Sequence, residues 1–152
     1  MKHTFLLEER LWEATGEYTD SHAHRFSFQG QSKISHQRDH WTLSGSMKLL
    51  IDPPMEFFHT YRVVPLAKNE EWTQWESHNP AIGDLCGRFA FVGDTILSSW
   101  ASKDFRFNGV EALLYVNDTT LHDSRNSLPR RREVVIVGGC FDAVFFGVPE
   151  SL

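Results

Sequence analysis

The chain has 152 residues, of which 41% are hydrophobic and 13% aromatic, and its formal net charge is −5. That length fits one domain, residues 1–152, which can bury a sizeable core without metals or disulfides. The acidic balance is not offset by any basic stripe, so we expect no nucleic-acid partner.

The apolar stretches and the cysteines suggest a cellular setting. The apolar run Phe5–Leu7 is far shorter than a signal peptide requires. No stretch approaches the ~20 apolar residues of a membrane-spanning helix, so we expect no membrane partner. Cys86 and Cys140 are too few for a disulfide framework, and whether they pair stays open. The expectation is a cytoplasmic protein.

Hydrophobic alternation, broken about every ten residues by turn sequences, is the main pattern along the chain. Thr4–Arg10 is predicted to form a short helical turn capped by Thr4. After it, Trp12, Ala14, Gly16 and Tyr18 share one face of a strand. About ten strands are expected in all. They cover residues 11–18, 26–34, 41–51, 55–64, 71–78, 85–92, 95–102, 110–116, 119–127 and 133–146.

Glycine positions mark the turns and bends. Gly93-Asp94 has glycine first, as a two-residue type II′ hairpin prefers. The next turn lies at Lys103–Phe105 or at Asn108-Gly109, and in the first case Asn108-Gly109 is interpreted as a bulge. Gly138-Gly139 lies inside a predicted strand, where a barrel often needs a bend or a close backbone approach.

Short loops without a long crossover predict a single antiparallel up-and-down β-barrel. A barrel that opens with a helical turn and a strand carrying Trp12 resembles the calycin group, which comprises lipocalins, fatty-acid-binding proteins and bacterial lipocalin-like relatives. Arg10-Leu11-Trp12 stands where lipocalins have Gly-x-Trp. The stretch from Trp75 to Pro80, followed by Gly93-Asp94, is similar to small bacterial lipocalin-like proteins. The resemblance implies an internal pocket and fixes neither a ligand nor a reaction.

Charged residues inside the predicted strands depend on strand phase. Pointing Arg88 outward buries Phe89 and Phe91, each worth about 1.5–3 kcal/mol, so Arg88 is predicted outside. The phase of Glu111 is undecided. If Glu111 points inward near Tyr115 or Tyr61, it becomes the best candidate for anchoring a ligand or transferring a proton.

The predicted lining of the barrel is aromatic and hydroxylic, as in a pocket for a flat or apolar ligand. An ordinary packed core would use the same residues. The candidate ligand-binding residues are Tyr61, Trp75, Ser77, Ser98, Trp100, Glu111 and Tyr115.

Metal and cofactor signals are weak. Asp20, His22 and His24 have spacing that suits zinc, but no third nitrogen or sulfur ligand lies nearby, and a solvated polar loop is the favoured interpretation. No P-loop, nucleophile elbow or dinucleotide fingerprint occurs. We predict neither a metal nor a cofactor.

Three functions remain open. The first is the binding of a small hydrophobic or aromatic molecule inside the barrel. The second is an enzyme of the isomerase, cyclase or decarboxylase type, working by proton transfer at Glu111. The third is a filled barrel that acts as an interaction or homo-oligomerisation module through exposed rings such as Trp72 or Phe58.

Overall fold

The computed structural model describes residues 4–20, 22–80, 83–116 and 132–140, and the protein is all-β over those ranges. Nine strands follow one another, each paired antiparallel with the next. They are β1 (Leu11–Thr19), β2 (Arg25–His36), β3 (Trp41–Leu49), β4 (Met55–Val63), β5 (Trp72–Asn79), β6 (Gly83–Val92), β7 (Thr95–Ser102), β8 (Asn108–Val116) and β9 (Arg132–Cys140).

The sheet closes into a barrel through a parallel pairing of β1 with β9, in which Trp12 lies opposite Arg132 and Thr19 opposite Gly139. Neighbouring strands of an up-and-down sheet alternate in direction, so the first and the ninth point the same way. An odd number of strands therefore gives this barrel one parallel seam.

Two predictions about the architecture are wrong. About ten strands were expected, yet β9 pairs directly with β8 from Gly109–Cys140 to Val116–Glu133. The described part of the chain thus has no strand between β8 and β9 in the sheet, and the strand predicted at 119–127 lies outside the described residues. The predicted N-terminal helical turn is also not found: residues 4–10 contain no helix, only a turn in which the Leu7 N–H donates to the Thr4 carbonyl at 2.9 Å.

The N-terminal turn covers one end of the barrel. Phe5 and Leu6 are buried, and the Phe5 ring meets the ring of Trp12 edge to face at 5.2 Å. The turn is also tied to the wall, because His36 Nε2 lies 2.9 Å from the Leu6 carbonyl oxygen. The turn therefore contributes two apolar side chains to the core.

Tryptophan and glycine alternate across one row of the inner wall. Trp75 on β5 lies opposite Gly87 on β6, Gly87 opposite Trp100 on β7, and Trp100 opposite Gly109 on β8. A Cβ atom at Gly87 would lie 2.4 Å from the Trp75 ring, and one at Gly109 would lie 2.5 Å from the Trp100 ring. Each ring therefore occupies the space that its glycine leaves, and this part of the interior is filled.

The prediction for Gly93-Asp94 is confirmed, and the two interpretations of Asn108-Gly109 are wrong. The Gly93-Asp94 hairpin between β6 and β7 is confirmed, and Gly93 has a φ of +62°, which a non-glycine residue rarely adopts. The following turn lies before Asn108, which pairs in regular register with Ala101. Asn108-Gly109 is therefore neither a turn nor a bulge but the start of β8.

Candidate functional site

Glu111 points into the barrel, which settles the phase left open by the sequence. It shares a face of β8 with buried Leu113, while Val110 and Leu114 on the other face are exposed. Two apolar side chains of β8 are thus left in solvent, and an acid is placed inside. Burying a carboxyl group costs free energy unless it is hydrogen-bonded or paired, so this position needs an explanation.

The partner of Glu111 is Tyr18 on β1, whose hydroxyl donates a hydrogen bond to Oε1 of Glu111. The two residues are not on neighbouring strands, because β9 lies between them. Gly138 of β9 is opposite Tyr18 on one side and opposite Glu111 on the other. With neighbouring strands about 4.8 Å apart, the two Cα atoms are separated by about 10 Å. Since glycine has no side chain, the position between the two residues is open for the hydrogen bond.

A second group of polar residues reaches the same interior from β2 and β4. Ser32 Oγ and His59 Nε2 lie 3.2 Å apart, within hydrogen-bond distance. The His59 and Tyr61 rings are stacked with their centroids 5.5 Å apart, and the Tyr61 and Trp75 rings are stacked with their centroids 4.5 Å apart. His59 and Tyr61 share a face because they are two residues apart on one strand. An aromatic and polar strip therefore runs along the inside of β4 and β5.

Burial shifts the pKa of three groups in this interior towards their neutral forms. It lowers the pKa of His59 to about 4, so the imidazole is neutral at pH 7. Burial raises the pKa of Glu111, and the hydrogen bond from Tyr18 opposes that rise. Burial raises the pKa of Tyr61, and the nearby Glu111 carboxylate raises it further by a smaller amount. The site thus combines a weakened acid with two tyrosine hydroxyls and a neutral base.

These residues surround a cavity of about 40 Å³. A single water needs ~10–15 Å³ measured in this way, so the cavity has room for a few waters or a small chemical group. Pockets for drug-sized ligands are larger, about 300–1,000 Å³. Polar and aromatic side chains make up one part of the lining, and apolar ones the other. The lining includes Phe5, Ala14, Tyr18, Phe28, Ser32, Leu43, Met47, His59, Tyr61, Phe89, Glu111 and Leu113.

The seam between β4 and β5 lies next to this cavity and is the shortest in the barrel. Its paired register covers only Tyr61–Val63 on β4, against Trp75–Ser77 on β5. The other eight seams each pair at least seven residues of a strand. His59 lies on the part of β4 just before the paired stretch. The wall is therefore least cross-linked beside one of the residues that line the cavity.

Two of the seven residues predicted to bind a ligand line the cavity, and the other five do not. Tyr61 and Glu111 line the cavity. Trp75 and Trp100 are buried in the tryptophan–glycine row and do not line it. Tyr115, which was considered as a partner of Glu111, packs instead edge to face on Trp12 at 6.1 Å.

The two predicted serines also lie away from the cavity lining. Ser77 Oγ donates to the Thr60 carbonyl oxygen at 2.7 Å, so it joins β5 to β4. Ser98 is buried opposite Glu111 on the neighbouring strand, and its Oγ has no hydrogen-bond partner among the described residues.

Sequence reasoning missed three polar residues of the site: Tyr18, Ser32 and His59. A signal was present for two of them. Tyr18 was predicted to share one face of its strand with Trp12, and His59 is two residues before Tyr61 on the same strand. What alternation along one strand does not give is the registry between distant strands, which brings Tyr18 to Glu111.

The histidine-rich loop after β1 is held by a buried aspartate. Asp20 Oδ1 accepts hydrogen bonds from the backbone N–H groups of His22 and His24, each at 2.8 Å. His24 Nδ1 lies 3.0 Å from Oδ2 of the same carboxylate. The carboxylate thus organises the turn between β1 and β2. Over the ranges that the structure describes, no three His, Cys, Asp or Glu side chains are grouped so that they could hold a metal ion.

The outer face agrees with the predicted phase of β6. Arg88 is exposed and lies over the Trp72 ring at 4.9 Å, while Phe89 and Phe91 are buried, as predicted. Cys86 on the same outer face is a free, exposed thiol. Phe58 is 80% exposed and Trp72 44% exposed, so both rings named for an interaction surface are on the outside.

Neither a family model, nor a curated protein, nor a solved structure matches this chain. In the described part of the chain, no helix is long and apolar enough to cross a membrane.

Proposed function

We propose that this protein binds a small organic molecule inside the barrel, with Glu111 and Tyr18 as the polar anchor. The observation that carries the proposal is the placement of Glu111, Tyr18, Tyr61 and His59 around one interior cavity. Each polar group in a core costs stability that an apolar side chain would not, so such a cluster is the default candidate for a binding site. The calycin resemblance, with its internal pocket, agrees with this proposal.

The cavity volume sets the size of the ligand. An eight-stranded barrel leaves an interior that side chains nearly fill, and nine strands widen it only slightly. About 40 Å³ admits a small ligand or the head group of a larger one. A larger molecule would have to displace side chains, and the short seam between β4 and β5 offers the least restrained part of the wall. The ligand class is thus narrower than the hydrophobic molecule expected from the sequence.

Thermal stability tests this function. A sample that has been unfolded, washed free of ligand and refolded should gain melting temperature with rising phenol, p-cresol or benzyl alcohol concentration, because binding stabilises only the folded state. Ala14 lines the cavity, so Ala14→Val should abolish the gain. Ala112 is half-buried on the outer phase of β8, so Ala112→Val is the matched control and should retain the gain. An equal response of both variants would place binding elsewhere.

A second candidate is an enzyme that transfers protons inside the same cavity. It is favoured by one observation: a carboxyl group with a raised pKa is hydrogen-bonded to one tyrosine and lies close to another. A general acid or base works best when its pKa approaches the working pH. Glu111→Gln separates the candidates, because turnover of an unsaturated acid should be lost in the enzyme, whereas a binder should lose only affinity.

The third function, an interaction module, stays a prediction that rests on the exposed rings of Trp72 and Phe58. The mass of the protein in solution tests it. A dimer that Trp72→Ser converts to a monomer would support it.

A further inference from the structure

We infer that the ligand of this cavity carries a positive charge, as an organic ammonium group paired with the Glu111 carboxylate and enclosed by aromatic rings. This inference rests on the proposed binding function and names the chemical class of its ligand. Three features carry it: where the cations of the protein lie, how Glu111 is held, and which rings surround it.

The first feature is the absence of an inward cation among the described side chains. Every described lysine and arginine is exposed except Arg10, which is half-buried and pairs with Glu8 at 2.7 Å. On β9, Arg132 is six residues from Gly138, which lies opposite Glu111. Six strand residues span about 20 Å, too far for contact between that position and the carboxylate. Glu111 is therefore an inward acid without a positive partner in the described part of the chain.

The second feature is the hydrogen bond from Tyr18. A hydroxyl that donates to a carboxyl oxygen stabilises the ionised form of the acid. Glu111 lines the cavity, where an ammonium group could donate to its carboxyl group. A buried carboxylate is tolerated when it is both hydrogen-bonded and paired with an opposite charge. The protein supplies the hydrogen bond, and a cationic ligand would supply the charge.

The third feature is the lining. The rings of Phe5, Tyr18, Phe28, Tyr61 and Phe89 border the cavity. Aromatic faces attract ammonium groups, most strongly where water is excluded, and quaternary ammonium ligands are bound in such cages. An anion would instead meet Glu111 with no cation among the described side chains to balance it, and a neutral ligand would supply no charge to pair with the carboxylate.

Cation binding should depend on pH through the proton on the carboxyl group of Glu111. Among the described residues, the titratable groups that face Glu111 are Tyr18 on β1 and Tyr61 and His59 on β4, while Ser98 on β7 does not titrate in the accessible range. Burial lowers the pKa of His59 to about 4 and raises the pKa of Tyr61, so both side chains are neutral at pH 7. Burial raises the pKa of Glu111, and a paired cation would favour its ionised form. A cation that binds should therefore release the proton that Glu111 carries.

The experiment compares isosteric ligands of three charges on the refolded, ligand-free protein. Benzylammonium, benzyl alcohol and benzoate form one set, and methylammonium, methanol and formate the other. Calorimetry at pH 7.5 should give at least tenfold tighter binding of a cation than of its neutral isostere. The same titration of tetramethylammonium in buffers of different ionisation enthalpy should report proton release, since this small cation has no proton of its own to lose.

Two variants test whether Glu111 causes the preference for cations. Glu111→Gln should bring the cation and the neutral ligand within about twofold of each other, because a neutral amide cannot pair with charge. Ala112→Val, on the outer phase of β8, keeps both Glu111 and Tyr18 and should retain the preference for the cation, so it controls for a general loss of folding. If neutral ligands bind as tightly as cations, this inference is overturned and the binding function stands. If no member of either set binds, both are overturned.

Discussion

Replacing His59 by glutamine should change how the stability of this protein depends on pH. His59 lies inside the barrel, and burial lowers its pKa from 6.5 to about 4. Between these two values the unfolded chain binds a proton at His59 that the folded protein does not. The free energy of unfolding must therefore fall as the pH falls through this window, and it is unaffected by His59 above pH 6.5.

The magnitude follows from the two pKa values. One pKa unit corresponds to 1.36 kcal/mol, so a difference of about 2.5 units gives about 3 kcal/mol at and below pH 4. Glu111 acts in the opposite sense: burial raises its folded pKa, so it costs stability as the pH rises above 4.5. Comparing wild type with His59→Gln at each pH isolates His59, because Glu111 is present in both.

Urea unfolding followed by tryptophan fluorescence between pH 4.5 and 7.5 measures the effect. Relative to the variant, the wild type should lose about 2–3 kcal/mol across this range. His78 is exposed and lies 2.8 Å from Asp84 on the surface, so His78→Gln is the control and should change the pH dependence by less than about 1 kcal/mol. Parallel curves for wild type and His59→Gln would refute the reasoning, as would an equal change in His78→Gln.

Three further substitutions test the contacts that hold the site. Tyr18→Phe should cost about 1–3 kcal/mol in urea unfolding, since it leaves a buried carboxyl group without its donor, and that cost should shrink in a Glu111→Gln background. Gly45→Ala should cost about 1–3 kcal/mol or more, because the new Cβ would lie 1.8 Å from a backbone oxygen of β2, whereas Ser44→Ala on the same strand should change stability far less. Asp20→Ala should speed hydrogen exchange of the loop amides after β1 before it affects the core amides, and unchanged exchange in that loop would contradict the role given to its carboxylate.

Much of the fold could be predicted from local patterns. The shared face of Trp12 and Tyr18, the outward Arg88 and the Gly93-Asp94 hairpin all depend on residues within one strand or one turn, and all three are found. The number of strands could not be obtained in this way. Residues 119–127 resemble a strand locally, but the pairing partner of β9 is decided by register with β8, which is a contact between distant parts of the chain.

The residues of the site could also be predicted only in part. Tyr61 and Glu111 could be selected from the sequence, because an acid and a tyrosine within apolar runs are unusual whichever way they point. Trp75 and Trp100 could not be assigned to core or cavity, since that depends on glycines of neighbouring strands lying opposite them. Tyr18 and His59 share faces with residues that the alternation selects, but only the registry between distant strands brings them to the cavity.

The sequence by itself determined that this chain forms an up-and-down β-sheet with an aromatic inner face, because alternation with a period of two and turn-forming glycines act over a few residues. Only the tertiary structure decided that Glu111 points inward, that Tyr18 reaches it across Gly138, and that nine strands close around a small cavity. The physical reason is that strand phase and closure are set by the whole barrel at once. Leaving Val110 and Leu114 in solvent is a local cost, offset by pairings made more than 90 residues away along the chain.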